Sequence, residues 1–351
     1  VEFTTGGRLE VAITPADVGK RVSVRRLAEP GESTERFTDT VGVLTSWDDG
    51  VLSITRRTGE EVRIAASSLV AGKVVPARRP TTAPHGASRP LWMAPARRRG
   101  PATSARELTE VAARGWPAVE TERLGEWTLR ASGGFTRRAN SVLPVGDPGV
   151  PLDDALDRVR DWYAARGLPP YVVVSTGAAG GDELLAAALE RRGWTAEART
   201  AVRVGALAPL ADTDADTGRV RLSREPDGEW TALYNRSADA PPEAAQVLTG
   251  GPSVWFATVP GEDGPAAIGR MVVDGRWAGF AAVEVAPAHR RQGLATLVMA
   301  ALAQRALEEG ASAAYLQVEA DNEEAGALYD TLGFTDHHHY HYRRAPQGGP
   351  R

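Results

Sequence analysis

A chain of 351 residues, 42% hydrophobic and 25% charged, is long enough for two or three globular domains. Its net charge of −4 names no polyanionic partner, and the absence of cysteine excludes disulfides, thiolate metal sites and an acetyl-cysteine intermediate. No run of about 18 or more apolar residues exists to span a membrane. Val1-Glu2-Phe3-Thr4 lacks the basic-then-apolar opening of a secretory signal, so the expectation is a cytoplasmic protein with no membrane partner.

Residues 1–75 read as short strands. Arg21-Val22-Ser23-Val24-Arg25, Val41-Gly42-Val43-Leu44, Val51-Leu52-Ser53-Ile54 and Val62-Arg63-Ile64 alternate, with turn signals at Asp48-Asp49-Gly50 and Thr58-Gly59. Strands this short with turns this tight suit a small SH3-like β-barrel, a structural or docking module open to a protein partner. Residues 76–104 hold no Asp or Glu and carry Arg78, Arg79, Arg89, Arg97, Arg98 and Arg99 among prolines and alanines. This segment reads as a tether between domains; the competing reading is an anion-binding arm.

From residue 105 the pattern becomes mixed. Ser104, with Glu107 three residues on, has capping-box spacing. Glu126 to Ala131 alternates like a strand, Leu152 to Arg166 has the spacing of an amphipathic helix, and Tyr171 to Val174 is an apolar strand. Glu183 to Arg192 is a helix stopped by Gly193. Leu185 to Thr195 has the shape of Ala325 to Thr335: a helix, a Gly-aromatic-Thr step, then a strand. The first copy lacks any Arg-x-x-Gly-x-Gly/Ala loop. It reads as a degenerate half over 105–212, separated by an acidic turn from a second half over 218–344.

The chemistry concentrates in that second half. An apolar strand through Val283, Glu284 and Val285 ends at Pro287. Arg290-Arg291-Gln292-Gly293-Leu294-Ala295-Thr296 follows and opens a long helix. The first N–H groups of a helix are unpaired and partly positive; small residues let phosphates reach them, and arginines add charge-assisted contacts. A second segment reads strand, Asn322 cap, helix with Tyr329 two turns on, then Gly333-Phe334.

In this order and spacing the two segments closely resemble motifs A and B of the GNAT superfamily of N-acetyltransferases. Ala295 stands where glycine is commoner. The resemblance implies an α/β fold with acetyl-CoA as cosubstrate and no metal. Val283 and Val285 would meet the pantetheine arm, and the Val285 N–H would polarise the thioester carbonyl. Residues Arg290, Arg291, Gln292, Gly293, Leu294, Ala295 and Thr296 would hold the pyrophosphate. Asn322 would contact pantetheine or a bridging water, and Tyr329 would protonate the departing thiolate. Glu284 and Glu319, on the two strands flanking the thioester, are candidate bases; the competing reading of each is a solvated strand carboxylate. Glu284 alternates with Val283 and Val285 and so faces the other way.

His337, His338, His339 and His341 could suggest a metal site. Interleaved Tyr340 and Tyr342 make an aromatic last strand the preferred reading, with His338 and Tyr340 on one face. In the first half, Gly133-Gly134-Phe135-Thr136-Arg137-Arg138-Ala139-Asn140 is either an exposed hairpin or a carboxylate site using Arg137, Arg138 and Asn140. The layout as a whole resembles an actinobacterial GNAT family that includes a stand-alone N-acetylglutamate synthase. That likeness implies acetyl transfer to L-glutamate, the entry to arginine biosynthesis. A protein-lysine or small-amine acetyltransferase is the alternative. A non-catalytic acyl-CoA-binding regulator acting on nucleic acid is disfavoured by the intact loop and Tyr329.

Overall fold

The computed structural model describes residues 11–27, 37–56, 59–75, 101–178 and 181–346. Most of the basic segment, 76–100, lies outside the described residues.

The N-terminal strands are β1 (Arg21–Leu27), β2 (Phe37–Asp48), β3 (Val51–Thr55), β4 (Glu61–Ala65) and β5 (Leu69–Val74). They form one antiparallel sheet in the order β4-β3-β2-β1-β5. Asp49 and Gly50 both have positive φ and close the β2–β3 hairpin between Asp48 and Val51, as that dipeptide predicts. Alternating Val22, Val24, Leu44, Leu52, Ile54 and Ile64 fill the core. Edge strands β4 and β5 are not paired with each other among the described residues, so a small five-stranded β domain is present while closure of the expected SH3-like barrel is not seen.

The rest of the chain begins with α1 (Ala105–Gly115), capped as expected by Ser104, whose Oγ accepts from the Glu107 N–H at 3.1 Å. Then come β6 (Glu120–Leu124), β7 (Trp127–Ala131), α2 (Leu152–Ala164), β8 (Tyr171–Thr176), α3 (Glu183–Arg191), β9 (Thr195–Ala206) and α4 (Leu207–Ala211). After these follow β10 (Arg221–Ser223), α5 (Gly228–Leu233), α6 (Glu243–Thr249), β11 (Ser253–Gly261), β12 (Gly264–Asp274) and β13 (Trp277–Val285). The last elements are α7 (Leu294–Glu308), β14 (Ala313–Glu319), α8 (Glu323–Thr331) and β15 (Thr335–Arg344).

Eight strands form one sheet in the order β10-β11-β12-β13-β14-β9-β15-β8. Strands β8 and β9 are consecutive in the chain yet do not pair. β9 lies between β14 and β15, and β15 lies between β9 and β8. The repeat visible in the sequence is two β–α–β units that exchange their second strands. Thr195 pairs with Arg344 and its counterpart Thr335 pairs with Val204, so the β9–β15 pair has a local two-fold relation. Gly193 and Gly333, with φ 76° and 88°, end the two helices, and buried Trp194 and Phe334 follow them.

Helix α7 packs on one face of the sheet against Ala278, Phe280, Leu316 and Val318. Helix α1 covers the other face over Trp277, Tyr315, Val202, Tyr340 and Tyr342, with α5 and α6 beside it over Phe256, Ile268 and Val272. The histidine-rich segment is the strand β15, with His338, Tyr340 and Tyr342 buried in alternation.

Candidate active site

Parallel strands β13 and β14 pair only from Trp277↔Ala313 to Phe280↔Leu316. Beyond that, residues 281–285 and 317–319 diverge, while β13 stays paired with β12 and β14 with β9. Each strand therefore turns one free backbone edge into a wedge. The Ala286 N–H donates to the Ala266 carbonyl at 2.9 Å, toward β12. Alternation then aims the N–H groups of Val285 and Val283 into the wedge.

A bulge decides which side chains face which side. Pairing shifts between Ile268↔Glu284 and Arg270↔Ala281, and Ala282 holds φ 50°, a left-handed conformation that costs a non-glycine residue about 1–2 kcal/mol. Before the bulge, Ala278 and Phe280 face α7. After it, Val283 and Val285 join that same core, and Glu284 is turned to the opposite face. There the Asn235 N–H donates to Glu284 Oε2 at 3.1 Å. Burial raises the Glu284 carboxyl above its ordinary value, opposed by that hydrogen bond and by Arg236. Glu319 is exposed at the end of β14.

The 3₁₀ turn Pro287–His289 leads into the basic loop. Gly293 sits at the N-cap of α7 with φ 78°, and no side chain caps the helix. The Leu297 N–H donates to the Gly293 carbonyl at 3.0 Å, so the N–H groups of Leu294, Ala295 and Thr296 form the open first turn. Arg290, Arg291 and Gln292 are exposed around it. Arg291 lies 3.9 Å from Glu324, bringing the loop beside the start of α8. Donors, charge and clearance together fit a pyrophosphate.

Asn322 caps α8, its Oδ1 accepting from the Ala325 N–H at 3.0 Å. Tyr329 packs against the same core as Val283 and Val285 and meets Phe334 edge-on at 5.9 Å. Burial pushes its phenol up, which keeps it protonated; Arg203 pulls the other way. Arg203, on β9, was not singled out in the sequence. It is almost buried, donates to the Gly326 carbonyl at 2.9 Å and pairs with Asp330 and Asp336, so it ties α8 to the neighbouring strand.

Of the three first-half residues, only Arg138 reaches the wedge. Its Nη1 donates to Gln317 Oε1 at 2.9 Å, and its guanidinium lies 4.5 Å over the Trp116 ring. Arg137 is exposed and pairs instead with Glu197 at 3.4 Å. Asn140 is buried and saturated. Its Oδ1 accepts from the Ser132 and Gly134 N–H groups, and its Nδ2 donates to the Phe135 and Thr136 carbonyls. It holds the loop that presents Arg138 and has no capacity left for a ligand. Trp116 and Gln317 had no motif to reveal them.

Residues 102–343 match the family model described as the C-terminal region of probable histone acetyltransferase Rv0428c, and residues 16–73 match the Rv0428c N-terminal Sm-like domain. The chain belongs to this family. It is a GNAT-family N-acetyltransferase. A relative from Mycobacterium tuberculosis, "Probable histone acetyltransferase Rv0428c", is 29% identical over 95% of this chain and 97% of its own length. "Uncharacterized N-acetyltransferase YobR" of Bacillus subtilis is 28% identical over 68% of this chain and 97% of its own. The solved structure of a GCN5-related N-acetyltransferase from Kribbella flavida superposes with a TM-score of 0.52 at 20% identity, covering 70% of this chain and 96% of that one, and shares the fold. For the N-terminal sheet the family description is Sm-like rather than SH3-like. Acetyl-CoA is the cosubstrate this family membership implies. Among the described residues no helix is long and apolar enough to cross a membrane.

Proposed function

We propose that the protein transfers the acetyl group of acetyl-CoA directly to the primary amine of a small acceptor, with L-glutamate as the expected one. The observation that carries this reading is the bulged wedge. One free backbone edge, an uncapped glycine-led helix start and a carboxylate turned to the opposite face sit on the same strand–loop–helix unit.

The residues divide the work. The N–H groups of residues 294–296, with Arg290 and Arg291, bind the pyrophosphate. The free edge of Val283 and Val285 takes the pantetheine amides as a further strand would, and the Val285 N–H steadies charge developing on the thioester oxygen. An amine arriving as an ammonium must lose a proton before attack. Glu284, made more basic by burial, is the acceptor for that proton, directly or through water. Tyr329 delivers a proton to the sulfur of departing CoA. In this reading the first half, residues 105–212, is a degenerate partner that retains the packing and supplies Arg138 and Arg203.

A second reading draws on the name of the mycobacterial relative, a probable histone acetyltransferase that spans nearly the whole chain. The acceptor is then a protein lysine, and the N-terminal Sm-like sheet docks the protein. CoA thiol release from acetyl-CoA, measured with L-glutamate, other amino acids, polyamines and lysine peptides, separates the two readings. Turnover selective for glutamate and lost in Tyr329→Phe supports the first. Turnover with lysine peptides alone replaces it with the second.

A further inference from the structure

Between α1 and the sheet lies a small space of about 40 Å³, room for a carboxylate group rather than a whole ligand, walled by Trp116, Arg130, Arg138, Gln317, His338 and Tyr340. Arg138, Gln317 and Trp116 also line an adjoining space bounded by Gly279, Phe280 and Ala281, where β13 and β14 part. The chamber therefore adjoins the wedge on the side that Glu284 faces, sharing the walls of Trp116, Arg138 and Gln317 with it.

Its charges do not balance. Arg130 is only 7% exposed. Its Nε donates to the Ser141 carbonyl at 2.9 Å and its Nη2 to Ser141 Oγ at 3.0 Å, which leaves Nη1 without a protein partner. No carboxylate is among the groups that act on it. The neighbours that act on it are the phenols of Tyr163, Tyr342 and Tyr340 and a second cation, Arg138; burial, the largest effect, lowers the Arg130 value. Arg138 itself bonds only to a neutral amide and a tryptophan face.

A third guanidinium shows what a balanced one looks like here. Arg270, fully buried and lowered to about 9 by desolvation, donates to the carbonyls of Gly115, Leu248 and Gly250. Those are the C-terminal ends of α1 and α6, where helix dipoles supply negative charge. Arg130 and Arg138 have no such compensation, and an uncompensated buried cation is costly unless an anion completes the site.

The chamber also carries one fixed lone pair. The Thr103 carbonyl accepts from His337 Nε2 at 3.1 Å, so His337 Nδ1 accepts from His338 Nδ1 at 2.8 Å. His338 Nε2 is then unprotonated, and it has no protein partner. Burial holds His338 down to about 4, so the ring is neutral. Two cations beside one acceptor suit a ligand that carries both a carboxylate and a nearby hydrogen-bond donor.

We propose that this chamber is the anion subsite of the acetyl acceptor, holding an acceptor carboxylate between Arg130 and Arg138 while the amine points into the wedge. The proposal rests on the acetyltransferase reading, and it assigns the acceptor to the amino-carboxylates, with a site set apart from the pyrophosphate loop.

The test uses L-glutamate, L-glutamine and L-glutaminamide, of similar size with two, one and no carboxylates, in the CoA-release assay on the full chain. Arg138→Gln raises KM for the carboxylate-bearing acceptors about 10- to 100-fold. KM for glutaminamide and the affinity for acetyl-CoA hold within about threefold. Arg130→Lys, which keeps a buried charge, gives the same ordering should Arg138→Gln fold poorly. Equal losses for charged and uncharged acceptors, or no loss, overturn the assignment. If none of the three is acetylated, the glutamate reading fails and the chamber is read by binding alone, with Trp116 in its wall as reporter. Saturable quenching by L-glutamate in wild type that disappears in Arg138→Gln sustains the subsite. No saturable change in wild type refutes it.

Discussion

Removing the guanidinium of Arg203 tests whether a strand from the first repeat unit positions the tyrosine of the second. In Arg203→Leu the bond to the Gly326 carbonyl is lost, a charge-assisted contact at 2.9 Å. The pairs with Asp330 and Asp336 go too, but those carboxylates are 67% and 58% exposed and simply rehydrate. The first contact is worth about 1.5–3 kcal/mol and the exposed pairs a few tenths each. Freeing a nearly buried guanidinium from its desolvation returns part of this, leaving a net loss of about 1–3 kcal/mol. That corresponds to a fall of roughly 3–10 °C in Tm. The kinetic effect is larger, because α8 loses its tie to β9 and a shift of about 1 Å in a reacting group can cost about 100-fold. Thermal unfolding, followed by kcat and KM well below Tm, reads both effects. The expected result is a kcat at least about tenfold lower, with KM for acetyl-CoA within about threefold because α7 and its loop are untouched. Arg203→Lys, which keeps one charge and loses the fork, falls between. A lowered Tm with kcat within about twofold of wild type would falsify the positioning role.

Tyr329→Phe keeps the packing against Phe334 and removes the proton donor, so kcat falls about 100-fold or more with KM unchanged; initial rates of CoA release check this. Glu284→Gln has two signatures. Burial raises the folded-state value of Glu284, so its ionisation costs folding stability as pH rises through that value, and kcat/KM of the wild type climbs over the same range. The variant loses the climb in a pH–rate profile and is at least as stable as wild type at pH 8 in thermal unfolding; a marked loss of stability there sinks the argument. Gly293→Ala places a Cβ that meets nothing within 4 Å, so its cost is the left-handed backbone alone, about 1 kcal/mol or more. Acetyl-CoA titration should show a Kd about tenfold higher, with acceptor KM unchanged.

What the sequence showed of this site was whatever is encoded locally. The glycine-led loop, the Asn322 cap and the Tyr329 spacing each depend on residues within two helical turns. The facing of Glu284 was legible because Val283 and Val285 flank it. The bulge that produces this facing was not, since Ala281 and Ala282 give no glycine signal for the positive φ. The repeat was visible as a shape, whereas the exchange of β9 and β15 depends on which edges meet. In the N-terminal sheet, strands and the Asp49-Gly50 turn were legible, but the strand order was not: β4 and β5 are consecutive in the chain, yet they lie at opposite edges of the sheet. Asn140 was misjudged for a similar reason, because its four bonds are to backbone groups that gather only when the loop folds. The missing counter-ions of Arg130 and Arg138 are a tertiary fact, and no pattern along the strand Trp127–Ala131 marks Arg130 as enclosed.

The exchange of strands bears on how the chain is made. Strand β9 leaves the ribosome more than a hundred residues before either neighbour exists, and β8 waits for the same late strand β15. Until synthesis reaches Arg344 the nascent chain carries unpaired strand edges, which are templates for self-association. A cut in the acidic turn between 212 and 218 therefore does not yield two domains. It yields two fragments, each holding the strands that complete the other, and they should be soluble only when produced together.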